Sequence, residues 1–390
     1  MGVLLAAAVA SSGLELTSWS LVRVYSRPYA ESSGRYRVRA GSHELTLVAS
    51  TRVLSDSERS QLGAVRCESG VGSLHIWAYP ADPELPGLPV VEDHAELARR
   101  LAPLLETELS VASTELVVLR PLRRAVYRVV ATSRLGHRTV FLKVVRPHKM
   151  AELAARHRAC TLIPPTADLG DGILAIDQAP GTALTDLLHL STSPNPGLRV
   201  DPQVILSALN SLTERALQVP PRTPPSARFA SFSQPLVAGG ADSARVQNLV
   251  ARIQNRLMTP ESAPVPTHGD FHPANLFLAA DASAATALID GDTVGPGHQA
   301  DDIAMMFAHL LVLPSYDAPG YPTVPQLVSE LWHTCASIPC GPGDLVARTA
   351  ASMISLAPGA RSPQQLNYYL AAAEQILSSG AISVLPPQRE

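Results

Sequence analysis

Residues 267 to 277 read Thr267-His268-Gly269-Asp270-Phe271-His272-Pro273-Ala274-Asn275-Leu276-Phe277, and the order of polar groups in this stretch predicts a phosphate-transfer site. Asp270 supplies a carboxylate that can orient a hydroxyl group. Asn275 follows five residues later with an amide oxygen that suits Mg²⁺. The apolar run at 276 to 278 is typical of a short buried strand. The stretch therefore predicts a loop that carries a catalytic carboxylate and one metal ligand.

A second metal ligand is expected shortly after this loop. Residues Ala287-Leu288-Ile289 predict a buried strand that forms a hairpin with residues 276 to 278. This pairing returns Asp290 next to Asn275, so Asp290 completes the predicted Mg²⁺ site. Asp292 either binds a second metal ion or caps the turn, and the sequence favours neither.

Other classes of site use similar residues. A metallophosphoesterase takes metal ligands from a Gly-Asp-x-His segment such as 269 to 272, but it also needs a Gly-Asn-His segment, which this chain lacks. His268 and His272 have the spacing of zinc ligands on a helix, but Gly269 and Pro273 oppose a helix there. We interpret both histidines as ordinary loop residues.

The two segments together resemble the aminoglycoside phosphotransferase and choline kinase family, whose members are small-molecule kinases with a protein-kinase-like fold. His268-Gly269-Asp270 with Asn275 is similar to the catalytic loop of this family. Ile289-Asp290, with Gly295-Pro296 and Asp302-Ile303-Ala304, is similar to its metal-binding segment. The resemblance implies that Asp270 is the catalytic base and that Asn275 and Asp290 hold Mg²⁺. It also implies that His268 and Asp302 support the catalytic loop, Asp302 from a following helix.

The fold that the resemblance implies is α+β and bilobal. We expect a small, β-rich N-terminal lobe at residues 113–181 and a helical C-terminal lobe at 182–390. Residues 1–112 form an additional mixed, β-rich cap region, which looks similar to the cap of some bacterial sugar kinases of this family. The first kinase-like strand follows the composition break near Ser110 without a flexible linker, so we expect the cap to dock on the small lobe.

The small lobe carries the nucleotide-binding residues that the resemblance implies. Lys143, on the strand from Thr139 to Val145, is expected to hold phosphates of ATP. Glu152, on the next helix, is its expected partner, and the alternative is an exposed Glu152–Arg156 pair at helical spacing.

Two further nucleotide contacts are expected in loops of the small lobe. Arg123 and Arg124 stand in a turn where a protein kinase has glycines, so they either contact phosphate or face solvent. Gln178 and Ala179 lie in the expected hinge, which in the family offers backbone groups to the adenine.

Longer periodic segments predict helices at Val91 to Leu109, His148 to Leu162 and Pro202 to Val219. The Pro-rich segment from Val219 to Gly240 is expected to be a long loop. The apolar stretch from Ile303 to Leu313 is too short to span a bilayer and is interrupted by His309.

Composition excludes several classes of protein. The chain has 390 residues and a net charge of -3, and its basic residues are dispersed, so we expect no nucleic acid partner. The only lysines are Lys143 and Lys149, and neither has the Gly-Lys-Ser/Thr context of a P-loop. The scattered cysteines Cys67, Cys160, Cys335 and Cys340 are expected to be reduced and mostly buried. We expect a cytoplasmic protein without a membrane partner, as a monomer or dimer.

The acceptor is a small hydroxylated molecule by the same resemblance, and it is expected to lie against the C-terminal helices. After Ile303 the chain offers few carboxylates: Asp317, Glu330, Asp344, Glu374 and Glu390. Because a polycationic aminoglycoside needs several carboxylates, we expect a sugar, amino sugar or natural product of low charge. Trp332, Tyr368 and Tyr369 either stack on such a ring or belong to the core. The alternatives are an antibiotic-resistance phosphotransferase and an inactive nucleotide-binding protein of kinase fold.

Overall fold

A computed structural model describes residues 1–26, 31–69, 72–105, 109–134, 136–257, 263–335 and 341–385. The chain divides into two compact units. The first contains Met1–Ala154 and Pro165–Gln178, and the second contains Ala155–Pro164 and Ala179–Glu390. The first unit is built on β-sheets and the second is mainly helical, which confirms the predicted α+β class.

The first sheet of the first unit has five antiparallel strands in the order β1-β2-β3-β5-β4. Its strands are β1 (Leu16–Tyr25), β2 (Ser33–Ala40), β3 (His43–Ser50), β4 (Val65–Ser69) and β5 (Gly72–Ala78). Helix α1 (Gly2–Ala10) buries Leu5 and Val9 in the apolar cluster of this sheet. Helix α2 (Asp56–Leu62) begins with a capping box, in which Ser55 and Glu58 bond each other's backbone N–H groups.

The second sheet of the first unit is also antiparallel, in the order β6-β7-β8-β10-β9. Its strands are β6 (Leu109–Arg120), β7 (Arg124–Ser133), β8 (Gly136–Val145), β9 (Thr166–Asp168) and β10 (Ile173–Asp177). Helices α3 (Gly87–Glu92) and α4 (His94–Leu105) share an apolar core with one face, which includes Leu142. Helix α5 (Met150–His157) packs on the other face beside Phe141. Successive side chains of β8 point to opposite faces of the sheet, so this strand takes part in the packing on both faces.

The single helix predicted from Val91 to Leu109 is wrong, because α3 and α4 are separated at Asp93. Asp93 has an extended backbone, and its side chain accepts hydrogen bonds from the N–H groups of Ala95 and Glu96. It therefore ends one helix and caps the next. Strand β6 begins at Leu109, three residues before the boundary predicted at 112, and the boundaries at 112 and 181 stay predictions.

The second unit contains two small sheets and ten helices in its described part. Its strands are β11 (Thr182–Ala183), β12 (Val265–Thr267), β13 (Leu276–Leu278), β14 (Ala285–Leu288) and β15 (Gly295–Gly297). The sheets have the orders β11-β13-β14 and β12-β15. The helices are α6 (Leu184–Leu188), α7 (Pro202–Ser207), α8 (Pro225–Arg228), α9 (Ser233–Ala238), α10 (Ser243–Gln254), α11 (Gln299–Val312), α12 (Pro314–Asp317), α13 (Val324–Thr334), α14 (Pro342–Leu356) and α15 (Pro363–Ser379).

Helix α11 is the centre of the second unit, because its residues 302 to 308 are all buried and it packs on α13 and α14. A helix that is apolar on all sides belongs inside a protein core. Within the described ranges, none of the helices has the length and apolar character that a membrane crossing requires. Cys67, Cys160 and Cys335 are buried as expected, and Cys340 lies outside the described residues.

Two predicted helices are shorter in the structure. The helix predicted from His148 to Leu162 ends at His157, and the one predicted from Pro202 to Val219 ends as an α-helix at Ser207. Beyond these ends the chain forms an isolated bridge between Cys160 and Leu212, and Thr161 N–H bonds the carbonyl of Ser211. Such bonds use backbone groups that a continuing helix would need.

The long loop predicted from Val219 to Gly240 is also wrong. This segment contains α8, a 3₁₀ turn at Phe229–Phe232, and α9. Phe229 and Leu236 are buried in the core of the second unit. Burial of these two side chains supplies the packing that a short helix needs in order to form.

Candidate functional site

The hairpin of β13 and β14 brings the predicted metal ligands together. Leu276 pairs with Leu288 and Phe277 with Ala287, as the sequence predicts. Directly beyond this pairing, Ile289 N–H donates to the carbonyl oxygen of Asn275 at 2.9 Å. Asp290 is the next residue, so the backbone holds Asn275 and Asp290 beside each other.

The turn after β14 depends on unusual backbone geometry at Asp290. Its φ is +61°, in the left-handed region, which Asp and Asn tolerate better than other residues with a side chain. A 3₁₀ turn at Gly291–Thr293 follows, and Asp292 Oδ1 lies 3.0 Å from His157 Nε2. Asp290 and Asp292 are therefore held separately, one by backbone geometry and the other by a histidine.

Asp270 is held by the amide group of Asn275. Asn275 Nδ2 donates to the carbonyl oxygen of Asp270 at 2.9 Å and lies 3.4 Å from its carboxylate oxygen Oδ2. Burial raises the pKa of Asp270 above its ordinary value, the charge of nearby His272 opposes this, and the charge of Asp290 adds to it. A carboxylate with a raised pKa is a better proton acceptor when ionised, which suits a general base.

Asp302 fixes the backbone of the catalytic loop from the first turn of α11. Its two carboxylate oxygens accept hydrogen bonds from the N–H groups of His268 and Gly269, each at 2.7 Å. Burial raises the pKa of Asp302 to about 7, against the lowering effect of these two bonds. Thr293 Oγ1 donates to the carbonyl oxygen of His268 at 2.9 Å. Both peptide groups of His268 are therefore bonded to neighbouring segments.

Gly269 is required by the space around the loop. Its φ is +77°, and a Cβ atom at this position would lie 2.8 Å from the carbonyl oxygen of Thr293. A side chain would therefore push the loop away from the segment that carries Asp292.

Histidines surround Asp270. His268 is fully buried, and this burial lowers its pKa to about 4. His272 Nε2 lies 3.8 Å from Asp270 Oδ2. The ring of His272 stacks on that of His309 in α11, with centroids 4.2 Å apart and planes at 13°. His309 was not predicted to be a neighbour of His272, although a polar residue in the apolar part of a buried helix is a signal for such a contact.

His309→Phe is expected to weaken the dependence of stability on pH. Burial, and secondarily the charge of His272, lower the pKa of His309 from 6.5 to about 3. Below pH 6.5 the unfolded chain binds this proton and the folded protein does not, so the wild type loses stability as pH falls. Relative to the variant, the wild type should lose about 2 kcal/mol of unfolding free energy between pH 7 and pH 5. Denaturant titrations at both pH values measure the unfolding free energy of each protein. An equal change in unfolding free energy between pH 7 and pH 5 in the two proteins would contradict the prediction.

Lys143 and Glu152, which are predicted to bind the nucleotide, belong to the first unit. Lys143 is half-buried in β8 and shares a strand face with Phe141 and Val145, which pack on α5. Glu152 lies on α5, with Oε2 3.9 Å from Lys149 Nζ. The exposed Glu152–Arg156 pair is wrong, because Arg156 is fully buried. Its guanidinium group donates to the carbonyl oxygens of Val294 and Pro220.

The other residues that are predicted to contact the nucleotide lie in or next to a turn, or where the chain passes from the first unit to the second. Arg123 is in the turn between β6 and β7, and Arg124 is the first residue of β7. Gln178 is the last residue of the first unit and Ala179 is the first of the following segment of the second.

Comparisons with known proteins give a family and several solved structures with partial similarity. The model of the phosphotransferase enzyme family, APH, matches residues 122–319, which is 198 of 390 residues. No curated protein matches the chain.

Three solved structures that match this chain are described by sequence identity, by the share of each chain that is covered and by TM-score. A thermostable mutant of aminoglycoside phosphotransferase APH(4)-Ia, in a ternary complex with ADP and hygromycin B, is 14% identical, with 73% of this chain and 98% of that chain covered and a TM-score of 0.48. Macrolide 2'-phosphotransferase type I is 17% identical, with 73% of this chain and 97% of that chain covered and a TM-score of 0.43. Plasmodium vivax ethanolamine kinase is 12% identical, with 69% of this chain and 84% of that chain covered and a TM-score of 0.44.

Proposed function

The chain belongs to the phosphotransferase enzyme family, which has a protein-kinase-like fold, and on this premise we propose that it transfers phosphate from ATP to a hydroxyl group of a small molecule. One observation carries the proposal. The amide nitrogen of Asn275 donates to the backbone carbonyl oxygen of Asp270 at 2.9 Å and lies 3.4 Å from its carboxylate oxygen Oδ2. The carbonyl oxygen of Asn275 accepts from the N–H of Ile289, the residue before Asp290. With Asp270 as the proton acceptor and with Asn275 and Asp290 as oxygen ligands for a cation, this arrangement supports phosphate transfer to an alcohol.

The residues present fit Mg²⁺. The amide nitrogen of Asn275 is used by Asp270, which leaves its Oδ1 oxygen to accept a cation, and Asp290 adds a carboxylate. Mg²⁺ commonly binds one or two protein carboxylates and takes its other ligands from phosphate and water. Among the described residues, no group of three or more His, Cys, Asp or Glu side chains is arranged to hold a metal ion. When bound, Mg²⁺ would neutralise charge on the phosphate oxygens.

The residues of the chain then have separate roles. Asp270 accepts a hydrogen bond from the acceptor hydroxyl and takes its proton, and Asp302 keeps the loop in position. Lys143, supported by Glu152, binds phosphate from the small lobe, where Arg123 and Arg124 are further candidates. Positioning of the two reactants supplies most of the catalysis, because phosphoryl transfer needs little covalent chemistry from the protein.

The acceptor is proposed to be neutral or singly charged, because acidic side chains of the C-terminal helices are already paired. The pairs are Asp317 with His189 at 3.0 Å, Glu330 with Arg199, Asp344 with Arg348 at 2.6 Å, and Glu374 with Arg245 at 2.7 Å. Glu390 lies outside the described residues. A carboxylate that already binds a cation of the protein gains little from a second one. Among the described residues of these helices, a polycationic aminoglycoside would therefore find each of these four carboxylates already paired.

The aromatic residues of the same helices serve mainly in packing. Tyr369 is buried, and its hydroxyl donates to that of Tyr316 at 2.8 Å. Of the two roles considered for Tyr369, stacking on a sugar is therefore wrong. Trp332 packs edge-on against Phe307, and Tyr368 donates to the carbonyl oxygen of Leu311. Selection of the acceptor is therefore expected to rest on hydrogen bonds near Asp270.

A substrate panel tests this proposal. Monosaccharides and singly charged amino sugars are expected to give kcat/KM values about tenfold or more above those of kanamycin-like polycations. Each exposed ion pair contributes only about 1 kcal/mol or less, so recognition of a tricationic or tetracationic acceptor needs several of them. ATP consumption should be measured at two salt concentrations. Efficient turnover of an aminoglycoside that falls steeply as salt rises would contradict the proposed acceptor class.

A further inference from the structure

The turn between β6 and β7 contains a leucine in a conformation that normally needs glycine. Arg123 N–H donates to the carbonyl oxygen of Arg120 at 3.1 Å, which closes a four-residue turn with Pro121 second and Leu122 third. The φ of Leu122 is +64°. A type II turn has this arrangement, with proline favoured at the second position and glycine at the third. Leu122 is therefore strained, and its surroundings must hold it.

Both backbone polar groups of Leu122 are bonded to ionisable side chains. Its N–H donates to Asp82 Oδ2 at 2.9 Å, and its carbonyl oxygen accepts from Arg146 Nε at 2.8 Å. Asp82 comes from the N-terminal region, 40 residues earlier in the chain. A backbone group that is bonded to a fixed side chain cannot rotate without losing that bond.

The side chain of Leu122 is buried in the N-terminal region as well. It is 0% exposed and belongs to an apolar cluster with Val48, Leu54 and Trp77. A second contact secures the neighbouring strand, because Tyr25 Oη donates to the carbonyl oxygen of Leu119 at 2.7 Å. The turn is thus held by Arg146 and by side chains that lie before residue 83.

Asp82 is itself fixed. It is 6% exposed, and its Oδ1 accepts a hydrogen bond from Glu84 N–H at 2.9 Å. Glu84 pairs with Arg52 and also with Arg146, at 3.3 Å to the latter. Burial raises the pKa of Asp82 to about 7, while the bond from Leu122 and the charges of Arg52 and Arg146 lower it. The carboxyl group therefore has a single orientation, towards the turn.

We propose that Asp82 is a positioning residue for nucleotide binding, which holds the turn at Pro121–Arg123 in the conformation that receives the phosphates of ATP. This inference rests on the proposed function, which gives the turn its nucleotide. Glycine-rich phosphate loops are adaptable, and their ordering lowers the net affinity for the ligand. Here the N-terminal region orders the turn in advance, so the nucleotide binds a turn that is already formed.

The test compares Asp82→Ala with Asp93→Ala. Each substitution removes a carboxylate that accepts two backbone N–H bonds in the first unit, but Asp93 bonds the start of α4 and not the turn. Hydrogen exchange of residues 119 to 124 is measured without nucleotide, and the Kd for Mg·ATP is measured by calorimetry without acceptor. Asp82→Ala should speed exchange in the turn and raise Kd about tenfold, which corresponds to about 1.4 kcal/mol. Asp93→Ala should change neither quantity, and the KM for the acceptor should stay within about twofold in both variants.

Two further variants keep the test informative if Asp82→Ala does not fold. Asp82→Asn retains an oxygen for Leu122 N–H, so it should restore most of the nucleotide affinity. Leu122→Gly keeps the backbone bonds but removes the buried side chain, so it should speed exchange and weaken nucleotide binding. Unchanged Kd in both Asp82→Ala and Leu122→Gly, with normal binding by the wild type, overturns this inference alone. A wild type that binds no ATP overturns the proposed function and this inference with it.

Discussion

Asp270→Asn is expected to lower kcat about a thousandfold while the Kd for Mg·ATP changes little. A positioned general base typically contributes about 10² to 10⁴ in rate, and asparagine cannot accept the proton of the acceptor hydroxyl. The substitution keeps the size of the side chain, and the hydrogen bond from Asn275 Nδ2 to the backbone of residue 270 does not need the carboxylate. Initial rates with saturating acceptor, together with calorimetry for the nucleotide, measure the two quantities.

The pH profile provides an internal check on Asp270. Its pKa is raised by burial, so activity of the wild type should fall as acid protonates the carboxylate. The residual activity of Asp270→Asn should lack this limb. Asp281→Asn is a matched control, because Asp281 is an exposed residue whose carboxylate bonds only within its own turn, to Ser283. Turnover by Asp270→Asn close to that of the wild type would rule out Asp270 as the base.

Asp290→Asn is expected to weaken Mg²⁺-dependent nucleotide binding about a hundredfold or more. Loss of an indirect metal contact commonly costs about 10-fold to 100-fold in affinity, and Asp290 is proposed as a direct ligand. Asparagine is a cleaner substitution than alanine here, because the backbone at 290 is left-handed and asparagine tolerates that conformation. Calorimetric titration with Mg·ATP, repeated with ATP and a chelator, separates the contribution of the metal.

Asp292→Asn is the control for the metal site. Asp292 is held by His157, so its replacement should affect the His157 contact more than the nucleotide. Asp290→Asn with unchanged affinity, beside a large loss in Asp292→Asn, would move the metal ligand from Asp290 to Asp292. A loss in both variants would indicate two metal ions.

The sequence alone determined the parts of the site that are close together in the chain. Asp270 and Asn275 are five residues apart, and their contact follows from one tight loop. The apolar runs at 276–278 and 287–289 were sufficient to predict the hairpin, because short buried strands have a readable pattern. The second strand is observed at Ala285–Leu288.

The tertiary structure alone decided which distant groups meet. Asp82 bonds Leu122 across 40 residues, and Glu374 pairs with Arg245 across 129 residues. Neither contact can be predicted from the neighbouring sequence, because most Asp and Glu side chains face solvent and nothing nearby in the chain marks these two as paired. The same holds for the helix predicted at Pro202 to Val219, which Leu212 interrupts to bridge Cys160. The intrinsic preference of a residue for a helix or strand amounts to only about a few tenths of a kcal/mol. Packing against partners elsewhere in the chain readily overrides this preference.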